Sequence, residues 1–185
     1  QTSISGTVEA VTSALFTILR EFEVNGVRCG GPVLLAGFAM GYGLVTLISS
    51  LGQSSRFALD LLVLVKLQLF GPVLVSVLAM ALLLPRWLDR VGSRGSKAWH
   101  CCIPAAALSG LCLMLMLFVA ALIGAVLASP RADLVQEINQ FLARTQLSDL
   151  LRPLIRSGAF LAVLCGWSQW RALIALQQKL PLALV

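Results

Sequence analysis

Charge is scarce in this chain. Asp, Glu, Lys and Arg together make up 12% of its 185 residues, while hydrophobic residues make up 58%. A soluble domain carries about 25% charged and 45–50% apolar residues. A water-soluble fold of this length has no core large enough to hide so much apolar surface, whereas in lipid such surface need not be hidden. Histidine is rarer still: His100 stands alone, with no carboxylate near it in sequence, which removes the usual acid–base pairs and activated nucleophiles. The five cysteines do not fall at metal-ligand spacings, since Cys101 and Cys102 are adjacent and Cys29, Cys112 and Cys165 are isolated. Adjacent ligands point in different directions and no second pair follows, so a metal site at His100-Cys101-Cys102 is disfavoured, and a redox enzyme built on the two adjacent thiols is a remote third reading. A glycine-rich phosphate loop and a Walker lysine are also missing, so any ATP-driven role requires a separate nucleotide-binding partner. There is no tandem repeat of short period. The net charge of +6 is spread over short connections without a dense stripe or an aromatic platform, which argues against nucleic acid as a partner. The sequence begins at Gln1 without a charged segment, short apolar core and cleavage site, and reads as trimmed.

What is present is a series of long apolar runs, with a mean hydropathy of +0.91. The pattern predicts an all-α integral membrane protein, a single transmembrane domain over residues 1–185. Within residues 1–31, the segment from Thr7 to Arg28 places Val8, Val11, Leu15, Ile18, Leu19 and Phe22 at helical spacings, with Glu9, Arg20 and Glu21 interrupting. It is too charged to cross and is expected to lie in the interface as an elbow. The first span is expected at 32–51, about the 20 residues that a 30 Å hydrocarbon core requires. Gly37, Gly41 and Gly43 sit inside it, either as a helix contact face or as glycines tolerated against lipid. The second span is expected at 57–84, carrying Asp60, Lys66 and Gln68 in its first half and a kink at Gly71-Pro72.

Residues 85–100 form a basic connection, with Arg86, Arg90, Arg94 and Lys97 against Asp89 and flanked by Trp87 and Trp99. By the positive-inside rule it is cytoplasmic. A third span follows at 102–128, with Pro104 in its first turn. Residues 129–157 read as two short amphipathic helices on the outer side, and a fourth span is expected at 158–176. This topology puts Arg20, Arg28, Arg86, Arg90, Arg94, Lys97, Arg171 and Lys179 inside and Arg56, Arg131, Arg144, Arg152 and Arg156 outside, with Lys66 within a span. The bias is modest.

The order of these features, with "GQSSRFALDLLVLVKLQLFGPVLVSVLA", "LSDLLRPLIRSGAF" and "LAVLCGWSQWRAL", resembles the MlaE/YrbE family of ABC-transporter permeases over nearly the whole chain. The family's Gly-Pro-Val-Leu is matched by Gly71, Pro72, Val73 and Leu74. Its leucine-serine-aspartate outer segment and following phenylalanine are matched by Leu147, Ser148, Asp149 and Phe160, and its Cys-Gly is echoed by Cys165 and Gly166. The resemblance implies a dimeric permease of the bacterial inner membrane, with 129–157 periplasmic. Its implied partners are a second permease chain, a cytoplasmic ABC ATPase holding ATP and Mg, and an MCE-domain substrate-binding protein. Lipids are the implied cargo, and this chain itself would hold no cofactor, metal or catalytic residue. Arg86, Leu88, Asp89, Arg90, Arg94 and Lys97 would then form the ATPase-facing loop, with Phe38, Tyr42, Leu69 and Val73 as lipid-cavity lining.

The departures are also informative. Gln68, Leu69 and Phe70 stand where the family has Arg-Glu-Leu. The loop is roughly a dozen residues shorter than the family's and basic, where the family carries an acidic coupling helix, and the family's final span is expected to be either absent or cut off after Val185. A non-transporting or degenerate scaffold subunit, paired with a standard permease, is therefore the alternative.

Overall fold

The computed structural model describes residues 2–50, 70–95, 99–128 and 147–178. Among them there are four long helices and no strand: α1 (Thr2–Ser50), α2 (Gly71–Arg94), α3 (Trp99–Ala128) and α4 (Leu147–Gln177). Each contains a stretch long and apolar enough to cross a bilayer: Thr12–Leu47, Gly71–Ser93, Trp99–Ala128 and Leu151–Gln177. The chain is a multi-pass membrane protein by length and composition of its helices.

Buried side chains recur at helical intervals and show why these segments are helices that pack. On α1 the buried positions are Glu21, Asn25, Cys29, Gly30, Val33, Gly37 and Gly41, all but Gly30 spaced four apart. On α2 they include Val75, Ala79, Leu83, Trp87 and Val91, each at most 2% exposed. The remaining faces are apolar and open, with Phe16, Val27, Leu35, Val77, Leu127 and Val163 all more than half exposed. Such surface has no place in water and an ordinary one in lipid.

The helices alternate in direction. Glu21 on α1 meets Arg86 and Arg90 on α2, while Gly71, at the start of α2, lies against Met114 and Leu117 of α3. Asn25 faces Ser109 and Gly41 faces Ala121, so α1 and α3 run parallel. Gly110 faces Ser157 and Gly158 while Gly166 faces Ile103, so α4 runs against α3. The principal contact is α1 on α3, followed by α3 on α4 and α2 on α4, whereas α1 and α2 touch sparsely.

Small residues set the two closest approaches. A Cβ on Gly37 would stand 2.6 Å from the Leu117 carbonyl oxygen, and one on Gly41 would collide with the Ala121 backbone. Gly124, across the contact, meets the Phe38 and Tyr42 backbone in the same way. At the α3–α4 crossing a Cβ on Gly110 would stand 2.8 Å from the Ser157 carbonyl oxygen, and Ser157 Oγ donates to the Gly110 carbonyl at 3.0 Å. These are small-residue contacts that bring helix backbones together in a membrane. Gly37 and Gly41 thus belong to a contact face, while Gly43 has nothing within 4 Å of its Cβ direction.

Several expected boundaries are corrected. The break between an elbow in 1–31 and a span at 32–51 does not occur: α1 is one helix with Pro32 inside it. The same face stays buried from Glu21 to Gly41, and that continuous contact carries the helix through Gly30-Gly31-Pro32. The candidate span Thr12–Leu47 has 36 residues, which rise about 54 Å, so only part of it fits within a core about 30 Å thick. The expected loop 85–100 is helical as far as Arg94, through Pro85. Trp87 and Val91 extend the buried stripe beyond that proline, and Arg86 and Arg90 find a partner on α1. The C-terminal part of the outer segment 129–157 is likewise helical, since α4 begins at Leu147 and includes Pro153. Gly71 and Pro72 stand at the described start of α2, directly after the π-helical Phe70, and the kink expected there involves residues that lie outside the described ones. The rest of the expected second span, with Asp60, Lys66, Gln68 and Leu69, lies outside the described residues, as do Lys97 and residues 129–146.

Candidate functional site

Glu21, Ser168 and Gln169 are buried toward one end of the bundle, where the start of α3 and the ends of α2 and α4 meet the first half of α1. Glu21 is 5% exposed. A carboxylate so placed is tolerated only when paired. Its Oε2 accepts a hydrogen bond from Arg86 Nη2 at 2.9 Å, and Oε1 pairs with Arg90 Nη2. Arg86 and Arg90 are four apart on α2 and therefore share a face. Their side chains are 16% and 27% exposed, so the guanidiniums stand at the edge of the bundle and the carboxylate within it.

One turn along α1, Asn25 Nδ2 donates to Ser109 Oγ at 3.3 Å, and that hydroxyl donates to the Ala105 carbonyl at 2.7 Å. On α4, Gln169 is fully buried, and neither its amide nitrogen nor its amide oxygen has a hydrogen-bond partner. An amide left in that state costs about 1–3 kcal/mol. Gly166, one turn before Gln169, faces Ile103 at 3.7 Å, which sets Gln169 level with the first turn of α3. The Trp99 indole nitrogen, one turn before Cys102, is buried and unpartnered as well. Cys102 belongs to the core cluster that all four helices line, with Cys29 of α1, Trp87 of α2 and Cys165 of α4.

The expected ATPase-facing residues divide by the turn of α2. Arg86 and Arg90 turn inward to Glu21, Leu88 is half-buried, and Asp89 is exposed on the outer side. Arg94 closes the helix, and Lys97 lies outside the described residues. The expected cavity-lining residues do not surround a common interior. Phe38 and Tyr42 are stacked on each other at 6.1 Å on the outer surface of α1, Val73 is exposed on α2, and Leu69 lies outside the described residues. Among the described residues no group of three or more His, Cys, Asp or Glu side chains could hold a metal ion, and all five cysteines are free thiols.

Sequence reasoning passed over Glu21, Asn25, Ser109 and Gln169. The available signal was a polar residue on the buried period of an otherwise apolar helix, a position at which a polar side chain needs a partner. In comparisons with protein families, curated proteins and solved structures, nothing matches this chain.

Proposed function

We propose that this chain is the membrane-spanning permease subunit of an ATP-driven lipid transporter of the MCE type, working as a dimer in the bacterial inner membrane. The observation that carries this reading is where the family-like segments fall. Gly71-Pro72-Val73-Leu74 opens α2 and Leu147-Ser148-Asp149 opens α4, both at the end of the bundle remote from Arg86 and Arg90. The open apolar surface that includes Phe38, Tyr42 and Val73 suits a hydrophobic cargo held between two chains, since a lipid site needs aliphatic walls and few polar ligands. ATP and Mg would sit in a separate cytoplasmic ATPase, and an MCE-domain protein would receive or deliver lipid on the outer side.

A second reading, a scaffold or degenerate subunit paired with a standard permease, is favoured by the inward turn of Arg86 and Arg90. Two of the basic residues expected to dock are engaged by Glu21, and the exposed residues of that stretch of α2 include the acidic Asp89 and the uncharged Gly92 and Ser93.

Purification of the tagged chain from its native membrane in mild detergent, with mass spectrometry of the proteins and lipids that follow it, separates the two. Recovery of an ATPase, an MCE-domain protein and phospholipid is the expected result. A second, standard permease chain beside them would favour the degenerate subunit, and loss of ATPase, MCE-domain protein and lipid together would rule out transport.

A further inference from the structure

We infer that the polar end of the bundle is a binding site for a phosphate-ester anion, supplied by the head of an anionic phospholipid. Two guanidiniums share one carboxylate there, which leaves a charge of +1 among Glu21, Arg86 and Arg90. Each guanidinium carries five N–H donors in a planar fork suited to phosphate oxygens, and each gives one contact to Glu21. The other groups at this end add to the donors. The Gln169 amide is fully buried and unpartnered, and the Trp99 indole N–H is buried and unpartnered. Helix register brings them to the same end as the ion cluster: Gly166, one turn before Gln169, faces Ile103 at 3.7 Å, and Asn25, one turn after Glu21, bonds Ser109. Donors in surplus around a net positive charge call for an acceptor that is itself negative.

The surroundings favour a lipid over a free anion. The outer faces of the helices at this depth are apolar and aromatic: Phe16 and Leu19 on α1 are 77% and 48% exposed, and Trp167 and Trp170 on α4 are 58% and 46% exposed. The two indoles form an edge-on pair at 5.3 Å, the kind of side chain that sits at headgroup level. A phosphate arriving with its own acyl chains finds both its partners here. The site stands whether or not an ATPase binds the chain.

The test uses the full chain, purified and delipidated in detergent, with thermal unfolding and native mass spectrometry as readouts. The probes are phosphatidylglycerol, phosphatidylcholine and inorganic phosphate. Phosphatidylglycerol is expected to be retained and to raise the melting temperature, and phosphatidylcholine, whose choline offsets the phosphate, to do so less. Gln169→Met is the deciding variant. Without lipid it should be as stable as the wild type or more so, because the unpartnered amide is gone. Its affinity for phosphatidylglycerol should fall about threefold to tenfold. Arg90→Gln should lose about tenfold or more, and should it fail to fold, Gln169→Met decides alone. Protection by inorganic phosphate at the same residues, without retained lipid, would keep the anion site and overturn the lipid as its source. The site itself is overturned by either of two results: no phosphate species protects the wild type, or phosphatidylglycerol protects wild type and Gln169→Met equally, with water then satisfying the amide and lipid merely coating a basic surface.

Discussion

Glu21 takes its meaning from two residues that lie 65 and 69 positions further along the chain. In the sequence it is one of five charges in the segment Thr7–Arg28, which looks too polar to enter a bilayer, and no spacing rule connects it to Arg86 or Arg90. What was legible is the separation of four between the two arginines, which puts them on one face if the segment is helical; reading 85–100 as a loop concealed it. Removing the carboxylate leaves two guanidiniums facing a low-dielectric interior, so Glu21→Ala is expected to destabilise the protein by about 3 kcal/mol. Replacing all three residues together with Leu, Met and Leu is expected to recover most of that loss, because the cost comes from the stranded charge and not from the missing attraction. Thermal unfolding in detergent of the single and triple variants distinguishes them, and equal losses in both would mean that the ion pair itself stabilises the fold. Gln169 was equally illegible: a glutamine between two tryptophan-flanked turns gives no sign in sequence of which face it occupies.

The apolar runs announced the helices, but their ends were set by contacts across the bundle. The third run, expected at 102–128, falls within the described helix Trp99–Ala128, where no charge interrupts the apolar residues. The others were misjudged wherever proline or charge suggested a boundary. Pro32, Pro85 and Pro153 all lie inside helices. A proline in a helix interior costs roughly 3 kcal/mol in water, but in a bundle the buried stripe on either side offsets that, as Leu83, Trp87 and Val91 do around Pro85. The glycines of α1 were legible as a class and not one by one, since the period that makes Gly41 a contact residue and Gly43 an outward one depends on which face meets α3. Gly41→Ala drives a methyl into the Ala121 backbone and is expected to cost about 1–3 kcal/mol. Gly43→Ala, with open space before it, is expected to be neutral or stabilising by up to about 1 kcal/mol. Unfolding of the two variants side by side measures the difference, and equal effects would contradict the α1–α3 contact.

At the scale of the molecule, the four described helices alternate in direction, bring Glu21, Arg86, Arg90 and Gln169 to one end and leave an apolar exterior. Composition alone foretold the membrane, and the order of hydrophobic runs foretold the number of helices among the described residues. The convergence of Glu21, Arg86, Arg90, Cys102 and Gln169 was out of reach, because it depends on how α1 and α4, far apart in sequence, pack on α2 and α3. The transport reading rests on the sequence resemblance together with this architecture, and all of it presupposes that the helices cross the bilayer alternately. The most direct test is labelling by a membrane-impermeant thiol reagent in a cysteine-free background. Single cysteines would be placed at Ser50, at the end of α1, at His100, at the start of α3, and at Gln178, just past α4. The account predicts that His100→Cys and Gln178→Cys label together from the cytoplasmic face and Ser50→Cys only from the opposite one. Labelling of Ser50→Cys and His100→Cys from the same side would contradict it.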